Sequence, residues 1–297
     1  MKYLLTGASG FLGRVIFNYL EEQPNNSILT LGRSKDNDIV CDLSKNIPKI
    51  NEKIDVVIHC AGKAHLIPKT LIEEQDFIAV NYLGTKKLLE SLKNNLPNTI
   101  IFISTVAVYG IDIGEMIDES SPLNGETPYA KSKIQAEREM EAFSKEKNIN
   151  LVILRLPLIS GNNPPGNLGN LIKTIKKGYY FRIGSGSAKK SIVSALDVAK
   201  FIPNLFEKKG IYNFTDSRNP TFKDIENHIA DLYDKRIISI PKFVFKPLAL
   251  VGDFLPFFIL NSNKLDKITK SLTFSDKKAQ KELNWQPDAA LKTIIKS

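Results

Sequence analysis

Through the first half of the chain, short apolar runs alternate with longer stretches whose apolar residues recur every three to four positions. The runs Lys2–Thr6, Ile28–Leu31, Asp55–Cys60, Ile100–Ser104 and Leu151–Leu156 are mostly apolar rather than alternating in polarity, which predicts strands covered on both faces. Between them, Phe11–Glu22, Ile72–Asn94 and Pro128–Lys147 read as helices. That order predicts an α/β fold, a doubly wound parallel sheet of Rossmann type with helices on both sides. After Gly161 the texture changes. Residues 161–186 are rich in Gly, Asn and Pro, a strand–helix run returns over Ser191–Phe206, and prolines at 220, 241, 247, 256 and 287 break up the remainder. The division expected is a sheet domain of residues 1–160 plus 187–206, and a smaller C-terminal α/β lobe of 161–186 plus 207–297. Such a lobe would lie over the strand ends, where open α/β sheets bind ligands.

Length and composition agree with two compact units. With 297 residues, 42% hydrophobic and 25% charged, the chain has enough apolar surface to offset its conformational entropy, which excludes disorder as the main state. Cys41 and Cys60 are the only cysteines, so no disulfide framework is expected, and a reducing, cytoplasmic setting fits. The opening Met-Lys-Tyr-Leu-Leu-Thr-Gly has no stretch apolar enough for a signal peptide. Phe243–Leu260 is strongly apolar, but Lys246 and Asp253 interrupt it and Pro247 and Pro256 disturb a helix. No transmembrane span is expected there. The segment reads as the buried wall of a binding lobe, with lying on a membrane surface as the lesser alternative. The net charge of +9 favours anionic partners, yet the basic residues fall in scattered doublets such as Lys176-Lys177 and Lys277-Lys278. That pattern argues against nucleic acid and for a small anionic substrate.

The first strand runs into Thr6-Gly7-Ala8-Ser9-Gly10-Phe11-Leu12-Gly13 and then a helix. Glycines at this spacing permit a tight turn and a close approach of backbone N–H groups to a diphosphate, with the helix N-terminus facing it. The second strand ends at Leu31-Gly32-Arg33-Ser34, with no acidic residue before Asp36. A ribose 2′-hydroxyl would lack its usual carboxylate there, whereas Arg33 and Ser34 suit a 2′-phosphate, so NADP(H) is favoured over NAD(H).

Thr127-Pro128-Tyr129-Ala130-Lys131-Ser132-Lys133 carries the most chemistry. Thr127 suits an N-cap and Pro128 the first turn, which puts Tyr129 and Lys133 on one helical face. A phenol is a poor proton carrier at neutral pH, and a neighbouring ammonium would lower its pKa. Hydroxyls at the end of the fourth long strand, Ser104 and Thr105, could polarise a substrate oxygen. Cys60 reads as a small buried hydrophobe, and His59, His65 and His228 do not make a metal set.

These motifs together resemble the extended short-chain dehydrogenase/reductase family, the branch of nucleotide-sugar epimerases, dehydratases and reductases, along nearly the whole chain. The loop Gly7–Gly13 resembles the family's cofactor loop, with Gly7, Ser9, Gly10, Phe11, Leu12 and Gly13 as contacts. Asp42-Leu43 resembles the pair that meets the adenine, Cys60-Ala61-Gly62 the small-residue strand end beside the cofactor, and Asn81-x-x-Gly84-Thr85 the motif on the following helix. The resemblance makes Tyr129 the acid/base, Lys133 the residue that positions the nicotinamide ribose and lowers the Tyr pKa, and Thr105, four before Tyr109 of Val108-Tyr109-Gly110, the partner of the reacting oxygen. Leu154–Pro157 resembles the strand end over the nicotinamide, with Pro157 a contact. Asn167-Leu168 resembles a segment bonding the substrate diphosphate, and Lys190 takes the place of a family Arg, keeping charge without bidentate geometry. Leu283-Asn284-Trp285-x-Pro287 resembles the family's C-terminal motif, with Asn replacing Gly.

The resemblance also narrows the reaction. Dehydratases of the family carry Asp-Glu after the Thr, and here Val106-Ala107 stand there, against water elimination. The run Ile58–His65 and the proline-interrupted apolar C-terminal segment are most similar to reductases of UDP-4-keto-6-deoxy-N-acetylhexosamines in surface-polysaccharide precursor synthesis. The expectation is therefore such a 4-keto reductase, with a nucleotide-sugar 4-epimerase as alternative and a non-catalytic NAD(P)-sensing regulator as an alternative of another class. The family also implies a homodimer through Ile72–Asn94 and Pro128–Lys147.

Overall fold

The computed structural model describes residues 1–296 apart from 65, 67 and 255–260. In chain order the strands are β1 (Lys2–Thr6), β2 (Ser27–Gly32), β3 (Ile39–Val40), β4 (Val56–His59), β5 (Thr99–Thr105), β6 (Gly114–Ile117), β7 (Asn150–Leu156), β8 (Leu158–Ser160), β9 (Phe181–Ile183), β10 (Ile192–Ser194), β11 (Gly210–Asn213), β12 (Ile238–Ile240) and β13 (Leu272–Phe274). The α-helices are α1 (Phe11–Glu21), α2 (Leu71–Phe77), α3 (Gly84–Leu92), α4 (Pro128–Lys147), α5 (Gly166–Lys176), α6 (Ala195–Phe201), α7 (Phe222–Leu232), α8 (Lys242–Phe254), α9 (Ser262–Thr269) and α10 (Lys277–Leu283). A π-helical stretch, Ile78–Leu83, joins α2 to α3.

Seven strands form one parallel sheet in the order β11-β7-β5-β4-β1-β2-β3. Leu4 pairs with Leu29 on one side and Val57 on the other, and Ile101 lies between Ile58 and Val152. Successive side chains alternate between two cores, which is why these strands had to be apolar throughout. Tyr3, Leu5, Val56 and Ile58 pack with Ile16 of α1 and Val198 of α6; Leu4, Val57, Ile100 and Phe102 pack with Leu88 of α3 and Met140 of α4. The strand order reverses between β1 and β4, so the C-terminal ends of these two strands open the crevice in which such sheets hold ligands.

The boundary expected at residue 206 does not follow the sheet. Strand β11 pairs with β7, Gly210 beside Val152, and Phe214 and Trp285 belong to the same core as α1. Trp285 stacks on Phe214 with ring centroids 4.1 Å apart and donates to the Thr215 carbonyl at 2.9 Å. A separate small core joins α5, α7 and the turn Ala290–Thr293 through Leu168, Ile172, Ile225, Ile229 and Ala290. Parallel two-stranded pairs, β8 with β10, β9 with β12 and β6 with β13, connect this region to the sheet.

The described part of the apolar segment 243–260 is not the buried wall expected. In its described part, α8, the side chains of Phe243, Val244, Leu250 and Val251 are exposed, and 255–260 lie outside the described residues. Among the described residues no helix is long and apolar enough to cross a membrane.

Candidate active site

Strand β1 delivers the chain to Gly7, whose φ of +76° is in the left-handed region. A Cβ there would lie 2.7 Å from the Ala61 backbone nitrogen, and one on Gly13 would lie 2.1 Å from the Gly7 carbonyl oxygen. The loop therefore packs backbone against backbone at the junction of β1, β4 and α1. Gly10 is the N-cap of α1 and supplies no side-chain cap, and Ser9 and Gly10 are exposed. Leu12 is buried, and the Phe11 ring lies against Gly161. A tight glycine cradle at an open helix N-terminus fits a dinucleotide diphosphate. Arg14 adds a cation that sequence reading missed, its guanidinium donating to the Ser9 carbonyl at 3.2 Å.

On the β2 side, exposed Arg33 lines a cleft of about 590 Å³ with Ile39, Cys41 and Asp42. The Asp42 carboxylate accepts from the Ser44 hydroxyl at 2.7 Å and its backbone N–H at 3.0 Å; these bonds, with the Lys45 and Arg33 charges, hold it below the usual carboxylate range. Ser34 donates to Asp36 at 2.7 Å, and Leu43 packs beside Gly84.

A buried chain of hydrogen bonds ties the strand ends together. The Ala61 N–H donates to the Thr6 hydroxyl (3.1 Å), which bonds His59 Nδ1 (2.7 Å). His59 Nε2 bonds the Thr85 hydroxyl (2.9 Å), which donates to the Asn81 carbonyl (2.6 Å). Burial, helped by the Lys133 charge, pulls His59 down to about 3, so the ring is neutral; because the Thr85 proton is directed at Asn81, Nε2 carries the hydrogen. The Asn81 side chain accepts from the Lys63 N–H (2.7 Å) and donates to the Lys63 carbonyl (3.0 Å) and to Ser132 (2.9 Å). Through these bonds Asn81, expected as a cofactor contact, holds the loop around Gly62 against α4. In the sequence, this chain of bonds is signalled by Thr85, the last residue of Asn81-x-x-Gly84-Thr85, and by His59 at the end of β4. His65 lies outside the described residues.

Helix α4 starts as expected. The Thr127 hydroxyl accepts from the Ala130 N–H at 3.1 Å and Pro128 is its first residue. Tyr129 and Lys133 then face the end of β5. The side chains of Thr105 and Tyr129 approach each other, and the Thr105 hydroxyl accepts from the Ala107 N–H at 3.2 Å. Phe77 covers the Tyr129 ring edge-on, 6.2 Å between centroids.

One expectation is corrected. Lys133 does not lower the Tyr129 pKa in this arrangement. Burial pushes the phenol up to about 12, against the opposing pull of the neighbouring Thr105 hydroxyl. The Lys133 ammonium donates instead to the Ile103 carbonyl at 2.6 Å and sits 3.9 Å from the centre of the Phe102 ring. Burial brings the Lys133 pKa down to about 8 and raises the Cys60 thiol to about 11. Such a thiol is no nucleophile at neutral pH.

Beneath Lys133 lies a buried ion pair that sequence reading did not find. Glu137, one turn further along α4, meets Arg155 at 2.7 Å and accepts from Ser104. Arg155 also donates to the Tyr109 hydroxyl at 3.1 Å. Ser104 therefore bonds inward, to Glu137, while the Thr105 side chain lies on the Tyr129 side.

The substrate-side residues are less convergent. Pro157 sits between β7 and β8, and Asn167 is exposed in the first turn of α5. Lys190, expected at the substrate diphosphate, is engaged within the protein. Its ammonium donates to the Lys267 and Lys270 carbonyls, both at 2.9 Å, at the end of α9, where helix carbonyls lack intrahelical partners. Among the described residues, no group of three His, Cys, Asp or Glu could hold a metal ion.

The sequence profile of the NAD dependent epimerase/dehydratase family matches residues 3–214, and the chain belongs to that family, an extended short-chain dehydrogenase/reductase enzyme with an NAD(P)-type cofactor. It is 27% identical over 269 residues to N-acetyl-alpha-D-glucosaminyl-diphospho-ditrans,octacis-undecaprenol 4-epimerase of Escherichia coli O157:H7, covering 84% of this chain and 77% of the relative. It is 24% identical to UDP-glucose 4-epimerase of Vibrio cholerae over 99% of this chain and 93% of that one. In fold it is similar to RMD from Pseudomonas aeruginosa complexed with NADPH, with a TM-score of 0.75 and 20% identity, covering 99% of this chain and 98% of that one.

Proposed function

We propose that this enzyme moves a hydride at C4 of a diphosphate-linked sugar, and that it is the 4-keto reductase of a UDP-4-keto-6-deoxy-N-acetylhexosamine used for surface polysaccharide. The observation that carries the reading is the approach of the Thr105 and Tyr129 side chains at the end of β5, Tyr129 lying on the helix face that also carries Lys133. A sugar oxygen placed between them would meet two hydroxyls at once. Nicotinamide, when bound, supplies the hydride. Tyr129 gives its proton to O4 while the Thr105 hydroxyl holds the developing alkoxide. A phenol raised to about 12 is fully protonated at neutral pH, the state a reduction requires. Val106 and Ala107 can move no proton, which disfavours water elimination.

The loop Gly7–Gly13 with Arg14 would hold the cofactor diphosphate, exposed Arg33 a 2′-phosphate, and Lys133, leaving the Ile103 carbonyl, the nicotinamide ribose. Cytoplasmic placement and a homodimer through α2, α3 and α4 belong to the same proposal. A 4-epimerase is the second reading, favoured because both relatives named above are 4-epimerases. They differ in what carries the sugar diphosphate, undecaprenol in one name and a nucleoside in the other. The test is to mix the protein with NADPH and a UDP-4-keto-6-deoxy-N-acetylhexosamine and follow the near-ultraviolet absorbance of NADPH. Stoichiometric loss, absent in Tyr129→Phe, is expected. Conversion of UDP-N-acetylglucosamine to its C4 epimer without net cofactor change would replace the reductase with the epimerase.

A further inference from the structure

We propose that the outer face of α8 is a docking surface for an anionic lipid bilayer. The helix turns its apolar side outward. At about 100° per residue, Phe243, Val244, Pro247, Leu250 and Val251 share one arc. All five are exposed, Phe243 at 71% and Leu250 at 58%, whereas Ala249 on the opposite side is 1% exposed. Phe245, half-buried, stacks on Phe181 with centroids 5.7 Å apart.

Two charged groups of α8 are drawn toward α9 rather than left to water, and Lys246 stays exposed beside the arc. Lys242 is turned toward α9, where it meets Asp266 at 3.1 Å and Thr269 at 2.8 Å. Asp253 accepts from the Ser262 N–H at 2.9 Å and its hydroxyl at 2.6 Å. These bonds fix the helix to α9 by its polar edge and leave the apolar arc facing away. The strand leading into α8 adds Ile238, 72% exposed.

Charge complementarity selects the occupant. The groove between α8 and α9 is lined by Lys242, Lys246, Lys270 and the single carboxylate Asp266, in a chain of net charge +9. Lipid phosphates would meet exposed Lys246 at the margin of the arc, Lys242 and Lys270 being paired with Asp266, while the apolar arc enters the acyl boundary, the pattern of a helix lying in the interface. The thirteen described residues of α8 make a rod of about 20 Å, shorter than a bilayer core. A second copy of this chain is a poorer occupant. A symmetric pairing of this face brings Lys246 toward its own image, and the Asp253 carboxylate is already engaged by Ser262.

The experiment is co-sedimentation of the full chain with vesicles of phosphatidylcholine alone and of phosphatidylcholine mixed with phosphatidylglycerol. The chain should sediment with the mixed vesicles, sediment less with the neutral ones, and be released by raised salt. The double variant Phe243→Ser/Leu250→Ser should lose binding by about tenfold or more, given the area each side chain would bury, at an unchanged thermal midpoint. Lys246→Glu should weaken binding to the mixed vesicles only. No sedimentation with either vesicle, or a double variant that binds as tightly as the parent, overturns the proposal. Equal binding to both vesicle types overturns the anionic preference. A dimer in sedimentation velocity that the double variant abolishes, without vesicle binding, overturns it in favour of a self-contact. None of these readouts uses turnover, so the proposal stands or falls apart from the catalytic reading.

Discussion

The Lys133 ammonium donates to the Ile103 carbonyl at 2.6 Å, buried between α4 and β5, and its pKa falls from the ordinary 10.5 to about 8. Below pH 8 both folded and unfolded chains carry the proton, and the folded state bears the full cost of the buried charge. Between pH 8 and 10.5 the folded chain releases it first, so the unfolded state binds more protons and stability rises with pH. Relative to Lys133→Met, the parent should gain about 3 kcal/mol across that window, read from urea unfolding at a series of pH values. A difference that stays flat with pH would contradict this burial.

Removing the Tyr129 hydroxyl should be far more costly to chemistry than to folding. Tyr129→Phe keeps the ring against Phe77 and loses only the hydroxyl, the proton donor. Turnover should fall by about 10²–10⁴ with cofactor affinity retained. Thr105→Val should cost about 10² through loss of the second hydroxyl. Unchanged turnover in Tyr129→Phe would sink the mechanism.

Much of this arrangement was legible in the sequence because it depends on local patterns. The apolar runs reported the parallel sheet, the glycine spacing reported the loop, and Thr127-Pro128 fixed the start of α4 and so the face carrying Tyr129 and Lys133. What escaped depends on contacts between distant segments. Strand β11 is four residues long and gains its place only by pairing with β7. The hydroxyls of Thr6 and Thr85 meet at His59 across 53 and 26 residues of chain. Lys190 reads as an anion-binding cation until α9 ends beside it, and α8 reads as a buried wall until its charged edge turns inward. The direction of the Tyr129 shift was misread because helical spacing shows that Lys133 is near but not that Ile103 holds its ammonium.

Gly13 should tolerate no side chain. An added Cβ would sit 2.1 Å from the Gly7 carbonyl oxygen and 2.8 Å from its carbon, so the backbone of the loop or of α1 must move. Gly13→Ala should therefore abolish NADPH binding measured by fluorescence, with a lowered thermal midpoint. Gly10→Ala, where the closest approach is 3.2 Å and φ is negative, should retain the fold and weaken binding less. Equal binding by Gly13→Ala and the parent would remove the cradle argument.

Arg33 offers the test of cofactor choice. It is exposed at the end of β2, in a cleft whose only carboxylate is Asp42, already engaged by Ser44. A 2′-phosphate there would gain a charge-assisted bond that a 2′-hydroxyl cannot make. Arg33→Ala should weaken NADPH by about tenfold, the upper range of one such bond being larger, and leave NADH nearly unchanged. Equal losses for both cofactors would place Arg33 elsewhere than at the 2′ position.

The Glu137–Arg155 pair separates stability from catalysis. Both side chains are almost fully buried, with Arg155 Nε 3.2 Å and 3.3 Å from the two carboxylate oxygens in addition to the 2.7 Å contact. Glu137→Ala would strand a guanidinium in the core and should cost about 3–5 kcal/mol. Glu137→Leu with Arg155→Met fills similar volume without charge and should recover most of that loss. Should the single variant fail to fold, the double variant still decides the matter by its thermal midpoint. A double variant no more stable than Glu137→Ala would mean that the Arg155 bond to Tyr109 and the Ser104 bond to Glu137, rather than the uncompensated charge, dominate the cost.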